Sequence, residues 1–245
     1  MNKTSIKLTS ASLITALSIS MFPGCTNTKP DKTPKDSPSQ TAAEIYKRPE
    51  IIDSGMAIQL LKEGNKRFVS NKTLSDDTTA EKRKSLVSNG QHPFAIVLTC
   101  SDSRVPPETL FDQGLGDLFV IRDAGNVVDP VELGSIEYGA EHLGSPLIVV
   151  LGHDKCGAVK ATVEGGEAEG NIKEIVEKIK PSLEKVKHSC TDENQLCEAC
   201  ENENIKNSVA QIENDPIIKK LENEKKVRVI GAKYHLDTGL VSFEI

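Results

Sequence analysis

Apolar residues in this chain are concentrated in short continuous runs separated by segments of helical spacing. Five such runs are predicted to be strands: 94–99, 118–121, 147–151, 227–232 and 240–243. The first three are almost wholly apolar, as in strands covered on both faces. The last two are joined through Asp237-Thr238-Gly239, which favours a hairpin turn. The pattern predicts an α/β domain with a mostly parallel central β-sheet and a C-terminal antiparallel edge strand.

The segments between these strands predict helices on both faces of the sheet. Ser54 is expected to cap the first helix. Pro130 suits the first turn of another helix, which Gly144 should end. Pro181 should kink or end a helix that begins near residue 172. Ligands of such sheets bind beyond the carboxyl ends of the strands, so the residues there are the candidates for function.

The composition indicates one globular domain, assigned to residues 53–245. The chain has 245 residues and 37% hydrophobic residues, enough for one sizeable core. Its formal net charge is −6 and its basic residues are scattered. Because nucleic-acid binding needs a concentrated basic surface, no nucleic acid is expected as a partner.

The N-terminus has the features of an export signal. Two lysines precede an uncharged run that is too short and too polar to span a bilayer comfortably, so residues 1–25 are predicted to be a signal peptide. The run ends at Cys25 and resembles a bacterial lipoprotein signal, in which that cysteine is lipidated; the alternative is an ordinary secretory signal. Residues 26–52 are rich in proline and polar residues, which predicts a flexible tether. The expected location is extracytoplasmic or periplasmic, on a membrane surface through a lipid anchor.

Two motifs with metal-binding chemistry follow two of the buried strands. The first strand is followed by Cys100-Ser101-Asp102-Ser103-Arg104, and the third by His153-Asp154-Lys155-Cys156. Parallel strands place both motifs at the same end of the sheet. Zinc favours thiolate and imidazole ligands in a tetrahedron. The residues therefore predict a zinc site with two cysteines, one histidine and either Asp102 or water.

These motifs resemble the paired signature of the β-class carbonic anhydrases, and the resemblance extends from about Ser54 to the C-terminus. It implies the β-carbonic anhydrase fold and one Zn²⁺ per subunit, held by Cys100, His153 and Cys156. The activity implied is that of a lyase, the reversible hydration of carbon dioxide to bicarbonate and a proton by zinc-bound hydroxide. The segment 122–126 also resembles the family, although Asp123 stands where the family usually has Asn.

The resemblance also assigns roles around the metal. Asp102 either occupies the fourth zinc position or is held away from it by Arg104, in which case it can orient the attacking oxygen. Residues expected to line the CO2 and bicarbonate pocket are Gln91, Phe119, Tyr138 and Gly157. In the family some pocket residues come from the partner subunit, so a homodimer or a higher even oligomer is expected.

Several alternatives remain open at this point. The same fold supports hydrolysis of CO2-like molecules such as carbon disulfide or carbonyl sulfide. A zinc site closed by Asp102 would be structural, and a lipoprotein that binds zinc without turnover would have another role. Cys190, Cys197 and Cys200 are candidates for a redox pair, a second metal site or a disulfide. These three cysteines lie outside the family signature and are assigned no catalytic role.

Overall fold

The computed structural model describes residues 48–49, 52–74, 78–166, 168–190 and 192–245. The predicted signal peptide with Cys25, and nearly all of the predicted tether, lie outside these residues. Within them, no helix combines the length and hydrophobicity that crossing a bilayer requires.

Within the described ranges, five strands form one sheet. They are β1 (Ala95–Cys100), β2 (Leu118–Asp123), β3 (Leu147–His153), β4 (Arg228–Tyr234) and β5 (Val241–Phe243). Their order is β2-β1-β3-β4-β5, and all neighbours are parallel except β4 and β5. The predicted fold class is therefore confirmed, including the antiparallel strand at the C-terminal edge.

Helices occupy both faces of this sheet. They are α1 (Ser54–Val69), α2 (Ala80–Asn89), α3 (Pro107–Leu110), α4 (Pro130–Glu137), α5 (Gly157–Glu164), α6 (Ile172–Val186), α7 (Glu193–Glu213) and α8 (Pro216–Asn223). A π-helical turn, Tyr138–His142, extends α4. Alternate strand residues serve two cores: Val97 packs with Leu61 of α1 on one face, and Leu98 packs with Ile205 of α7 on the other.

The structure overturns one local prediction, and for Pro181 it excludes one of the two expected outcomes, a helix that ends there. Asp53, not Ser54, caps α1: its backbone is extended and its carboxylate accepts the backbone N–H three positions on. Pro181 does not end its helix, because α6 continues to Val186. Its neighbours Ile179 and Ser182 are fully buried, so tertiary packing maintains the helix although proline removes one backbone hydrogen bond.

The carboxyl ends of β1 and β3 meet at one edge of the sheet. Thr99 and Leu151 are register partners, and each strand then ends within two residues, at Cys100 and at His153. A third, smaller apolar cluster covers this edge and includes Cys100 and Cys156. The sheet thereby delivers both sequence motifs to one buried place.

Candidate metal centre

Three side chains converge where β1 and β3 end. The ligand atoms of Cys100, His153 and Cys156 lie within 4.8 Å of one another, and all three residues are buried. Cys156 reaches this point through a tight turn in which Lys155 has a positive φ of 54°. Among the described residues these three form the only such group, so Asp102 is not a fourth member.

His153 has the orientation that a metal ligand requires. Its Nδ1 lies 2.8 Å from the backbone oxygen of Asp154. Because a carbonyl oxygen can only accept, Nδ1 carries the proton and Nε2 presents a lone pair. That Nε2 atom is buried and has no hydrogen-bond partner among the residues that the structure describes. An orphaned, buried imidazole nitrogen beside two sulfurs fits a bound zinc ion.

The two cysteines behave as one ionisable pair. A hydrogen bond from the Cys156 thiol lowers the pKa of Cys100 to about 4, and the same contact raises the pKa of Cys156. The backbone N–H of Gly125 also donates to the Cys100 sulfur at 3.3 Å. Burial alone would lower the pKa of His153, but the adjacent Cys100 thiolate outweighs it and the pKa is raised. A divalent cation would replace the shared proton, as thiolate sites for zinc require.

Arg104 holds Asp102 through three hydrogen bonds. Arg104 Nε and its backbone N donate to Oδ1, each at 2.9 Å, and Nη2 donates to Oδ2 at 2.7 Å. These bonds are the main reason why the pKa of Asp102 is held well below its usual range. Asp102 is therefore an ionised acceptor, and its carboxylate is bound by a planar guanidinium fork.

Hydrogen bonds from Arg122 of β2 hold the loop that follows β1. Arg122 donates to the backbone oxygens of Cys100 at 3.2 Å and Asp102 at 2.7 Å, a role that the sequence pattern did not reveal. Next to it, Asp123 accepts a hydrogen bond from Val127 N at 2.8 Å, while its Oδ2 is buried without a partner in the described part of the chain. Burial raises the pKa of Asp123 to about 7. A carboxyl group therefore stands in an environment that disfavours its charge, at the position where the sequence departs from the family pattern.

The predicted pocket residues lie away from the metal cluster of their own chain. Phe119 pairs with Ile96 near the start of β1, four positions before the pair that Cys100 forms with Asp123. The rings of Phe119 and Tyr138 are 6.1 Å apart, and Tyr138 is 47% exposed. Gln91 precedes β1 and is exposed.

Gly157 differs from these residues, because it directly follows the cluster residue Cys156 as the first residue of α5. A Cβ atom at Gly157 would meet no described atom of this chain within 4 Å.

A buried ion pair behind Cys156 was missed in the sequence. Glu201 Oε1 accepts the Cys156 backbone N–H at 3.2 Å, and Glu201 Oε2 lies 2.9 Å from Lys233 Nζ. The signal in the sequence was a lysine, Lys233, among the otherwise uncharged residues 229–234 of this strand. Cys190, Cys197 and Cys200 are free thiols, and Cys200 is buried in the same apolar cluster as Cys100.

Fold and site together define a class: an α/β protein with a mononuclear site of two sulfurs and one imidazole at the carboxyl ends of parallel strands. Residues 95–241 match the family model of the carbonic anhydrases. The carbonic anhydrase of Mycolicibacterium smegmatis is 44% identical over 194 residues, covering 76% of this chain and 90% of that one. Carbonic anhydrase 2 of Mycobacterium tuberculosis is 47% identical over 131 residues, covering 52% of this chain and 63% of that one.

Solved structures agree with these matches. A Coccomyxa β-carbonic anhydrase crystallised with acetazolamide superposes with a TM-score of 0.60 at 26% identity, covering 74% of this chain and 83% of that one. A β-carbonic anhydrase of Sordaria macrospora, described as tetrameric, gives a TM-score of 0.62 at 24% identity, covering 74% and 93%, and supports the fold. This chain belongs to the carbonic anhydrase family, in its β class, whose reaction is the reversible hydration of carbon dioxide.

Proposed function

We propose that this chain hydrates carbon dioxide at a site where Cys100, His153 and Cys156 hold one zinc ion per chain and Asp102 remains off the metal. The observation that carries the proposal is the orphaned, buried His153 Nε2 beside the two sulfurs. When bound, zinc supplies Lewis acidity that makes water a nucleophile near neutral pH. With three protein ligands, the donor set leaves one tetrahedral position for substrate chemistry.

Asp102 orients the attacking water in this proposal. An ionised carboxylate has about four lone-pair sites. Arg104 fills three of them, one from each of its hydrogen bonds, which leaves one site for a proton of the reacting water. Because its pKa is depressed, Asp102 stays an acceptor throughout the neutral range and does not protonate the nucleophile.

The pocket is completed by a second copy of the chain. Phe119 and Tyr138 are too far along the sheet to reach the metal cluster of their own chain, and Tyr138 and Gln91 are exposed. In the assembled enzyme, Gln91 donates a hydrogen bond to bicarbonate, while the two aromatic rings form the apolar wall for carbon dioxide. The tetrameric state described for the Sordaria macrospora enzymes supports an even oligomer here.

The test combines zinc content with stopped-flow carbon dioxide hydration on the full chain and two variants. Cys156→Ser should lose both stoichiometric zinc and activity, because it removes a ligand. Asp102→Asn should keep its zinc and slow hydration by about 10- to 100-fold, the usual effect of losing a group that orients a metal site. Turnover equal to that of the unmodified chain in both variants contradicts the proposal, as does a folded protein without zinc.

We further propose that the chain is exported and anchored to a membrane through a lipid on Cys25. The sequence of residues 1–52 is the only support for this proposal. Metabolic labelling with a radioactive fatty acid should mark the mature protein and place it in the membrane fraction. Cys25→Ala should abolish the label. A labelled alanine variant, or an unlabelled parent protein, excludes this anchor.

A further inference from the structure

Cys156 has a backbone N–H that its own helix does not satisfy. The residue is the N-cap of α5 and makes no side-chain capping bond. In many helices a Glu or Gln three positions into the helix bonds back to the N-cap N–H, but here that position is Val159. Lys155, immediately before the cap, has a left-handed backbone conformation. The turn that presents the Cys156 sulfur therefore has no stabilising side chain from its own segment at this amide.

Glu201 of α7 supplies the missing acceptor from outside the loop. Its Oε1 accepts the Cys156 N–H at 3.2 Å. Its other oxygen, Oε2, lies 2.9 Å from Lys233 Nζ, which also donates to Asn202 Oδ1 at 3.0 Å. Both oxygens of Glu201 are thus committed, so the carboxylate has one orientation. Lys233 lies on β4 opposite Gly152, which immediately precedes the ligand His153.

Stability alone is a poor explanation for this ion pair. The side chains of Glu201 and Lys233 are each only 5% exposed. Removing two charges from water costs about as much as their attraction returns, and well-packed apolar residues are often as stable. The Glu201–Lys233 pair is costly to bury, and its carboxylate bonds directly to the backbone amide of the predicted metal ligand Cys156. These two facts indicate a role at the metal site.

We propose that Glu201, oriented by Lys233, is a positioning residue that fixes the backbone of Cys156 and with it the placement of the sulfur. The inference rests on the proposed metal site and deepens it. Cys100, the other sulfur ligand, is already held by hydrogen bonds from Arg122 and Gly125. Glu201 of α7 and Lys233 of β4 would hold Cys156 in the same way. Groups of this kind commonly tune metal affinity by about 10- to 100-fold.

The test compares two neutral double variants that differ in a single acceptor. Glu201→Gln with Lys233→Met removes both charges but keeps an amide oxygen that can accept the Cys156 N–H. Glu201→Leu with Lys233→Met removes both charges and the acceptor. Side-chain volumes are similar in the two, so differences between them report the hydrogen bond to Cys156.

Zinc affinity is measured by competition with a chromophoric chelator, and sulfur geometry by the thiolate-to-cobalt absorption of Co²⁺-substituted protein. The leucine variant should bind zinc about 10- to 100-fold more weakly and show altered cobalt bands, while the glutamine variant stays within about threefold of the unmodified chain. The control is Glu203→Gln, on the same helix as Glu201. It breaks the ion pair with Lys185 of α6 and should change neither measurement.

The outcomes separate this inference from the proposed function. An unmodified chain without stoichiometric zinc removes the metal site itself. An unmodified chain that holds zinc, with equal affinity and cobalt bands in the two double variants, overturns only the role of Glu201. If the leucine variant does not fold, Glu201→Asp replaces it, since it keeps the charge but withdraws the oxygen from Cys156 by one methylene. Unchanged zinc affinity and cobalt bands in Glu201→Asp overturn the inference equally.

Discussion

The distance between the pocket residues and the metal cluster predicts that one working site draws on two chains. Four positions of β1 separate the register partner of Phe119 from Cys100. At about 3.3 Å per residue this is about 13 Å along the sheet, too far for a side chain to reach. Tyr138 contacts Phe119 and shares its location. Defects in the metal cluster and in the pocket should therefore complement each other when they are placed on different chains.

The two perturbations are Cys156→Ser, which removes a metal ligand, and the double variant Gln91→Ala with Tyr138→Ala. The side chains of Gln91 and Tyr138 are exposed, so the double variant should fold normally. Each variant alone should lower carbon dioxide hydration by about tenfold or more, the first through metal loss and the second through loss of substrate positioning.

Co-expression of the two variants gives the decisive measurement. In a mixed dimer, one site has both defects and the other has neither. Random pairing makes about half of the dimers mixed, so the pool should recover about a quarter of wild-type activity in stopped-flow hydration. Cys156→Ser mixed with Asp102→Asn should show no recovery, because both residues belong to the same chain's cluster. Activity no higher than the mean of the separately purified variants would refute a shared site.

Two further predictions concern stability. Because burial raises the pKa of Asp123 to about 7, the folded state loses stability as the pH rises through that value, and Asp123→Asn should remove the loss. Urea unfolding should show that Asp123→Asn gains stability relative to the parent between about pH 5.5 and about pH 8.5. The expected gain is about 2 kcal/mol, and an equal difference in unfolding free energy at both pH values contradicts the assignment. Gly152→Ala should cost about 1–3 kcal/mol, because the new Cβ would lie 2.5 Å from Ile205 Cγ1. Gly134→Ala, where a Cβ meets no atom within 4 Å, is its control, and equal unfolding free energies would rule out the clash.

The sheet and the convergence of the two motifs could be predicted because both depend on local sequence. Strands buried on both faces need uninterrupted apolar runs, and β1 and β3 each have one. Parallel strands then bring the residues after both runs to one edge. The sequence alone therefore predicts that Cys100 and His153 lie close together.

What the sequence did not reveal depends on contacts between distant segments. The N-cap of α1 could not be assigned from sequence, because the choice between Asp53 and Ser54 depends on where the backbone becomes helical. The helix α6 continues past Pro181 because the residues next to this proline are buried against other helices. Glu201 lies in a polar stretch that resembles an exposed helix, yet it is 5% exposed. Its function becomes visible only when α7 packs behind Cys156.

The paired sulfurs have a consequence for how a newly made chain matures. Two thiols whose sulfur atoms lie within 4.8 Å of each other are also the two reactants of a disulfide, so a metal ion and an oxidant would compete for the same pair of atoms. After folding, Cys100 and Cys156 are only 5% and 1% exposed, which limits later access by oxidants. We therefore expect a cation that binds first to protect both sulfurs, and a Cys100–Cys156 disulfide that forms first to prevent the cation from binding.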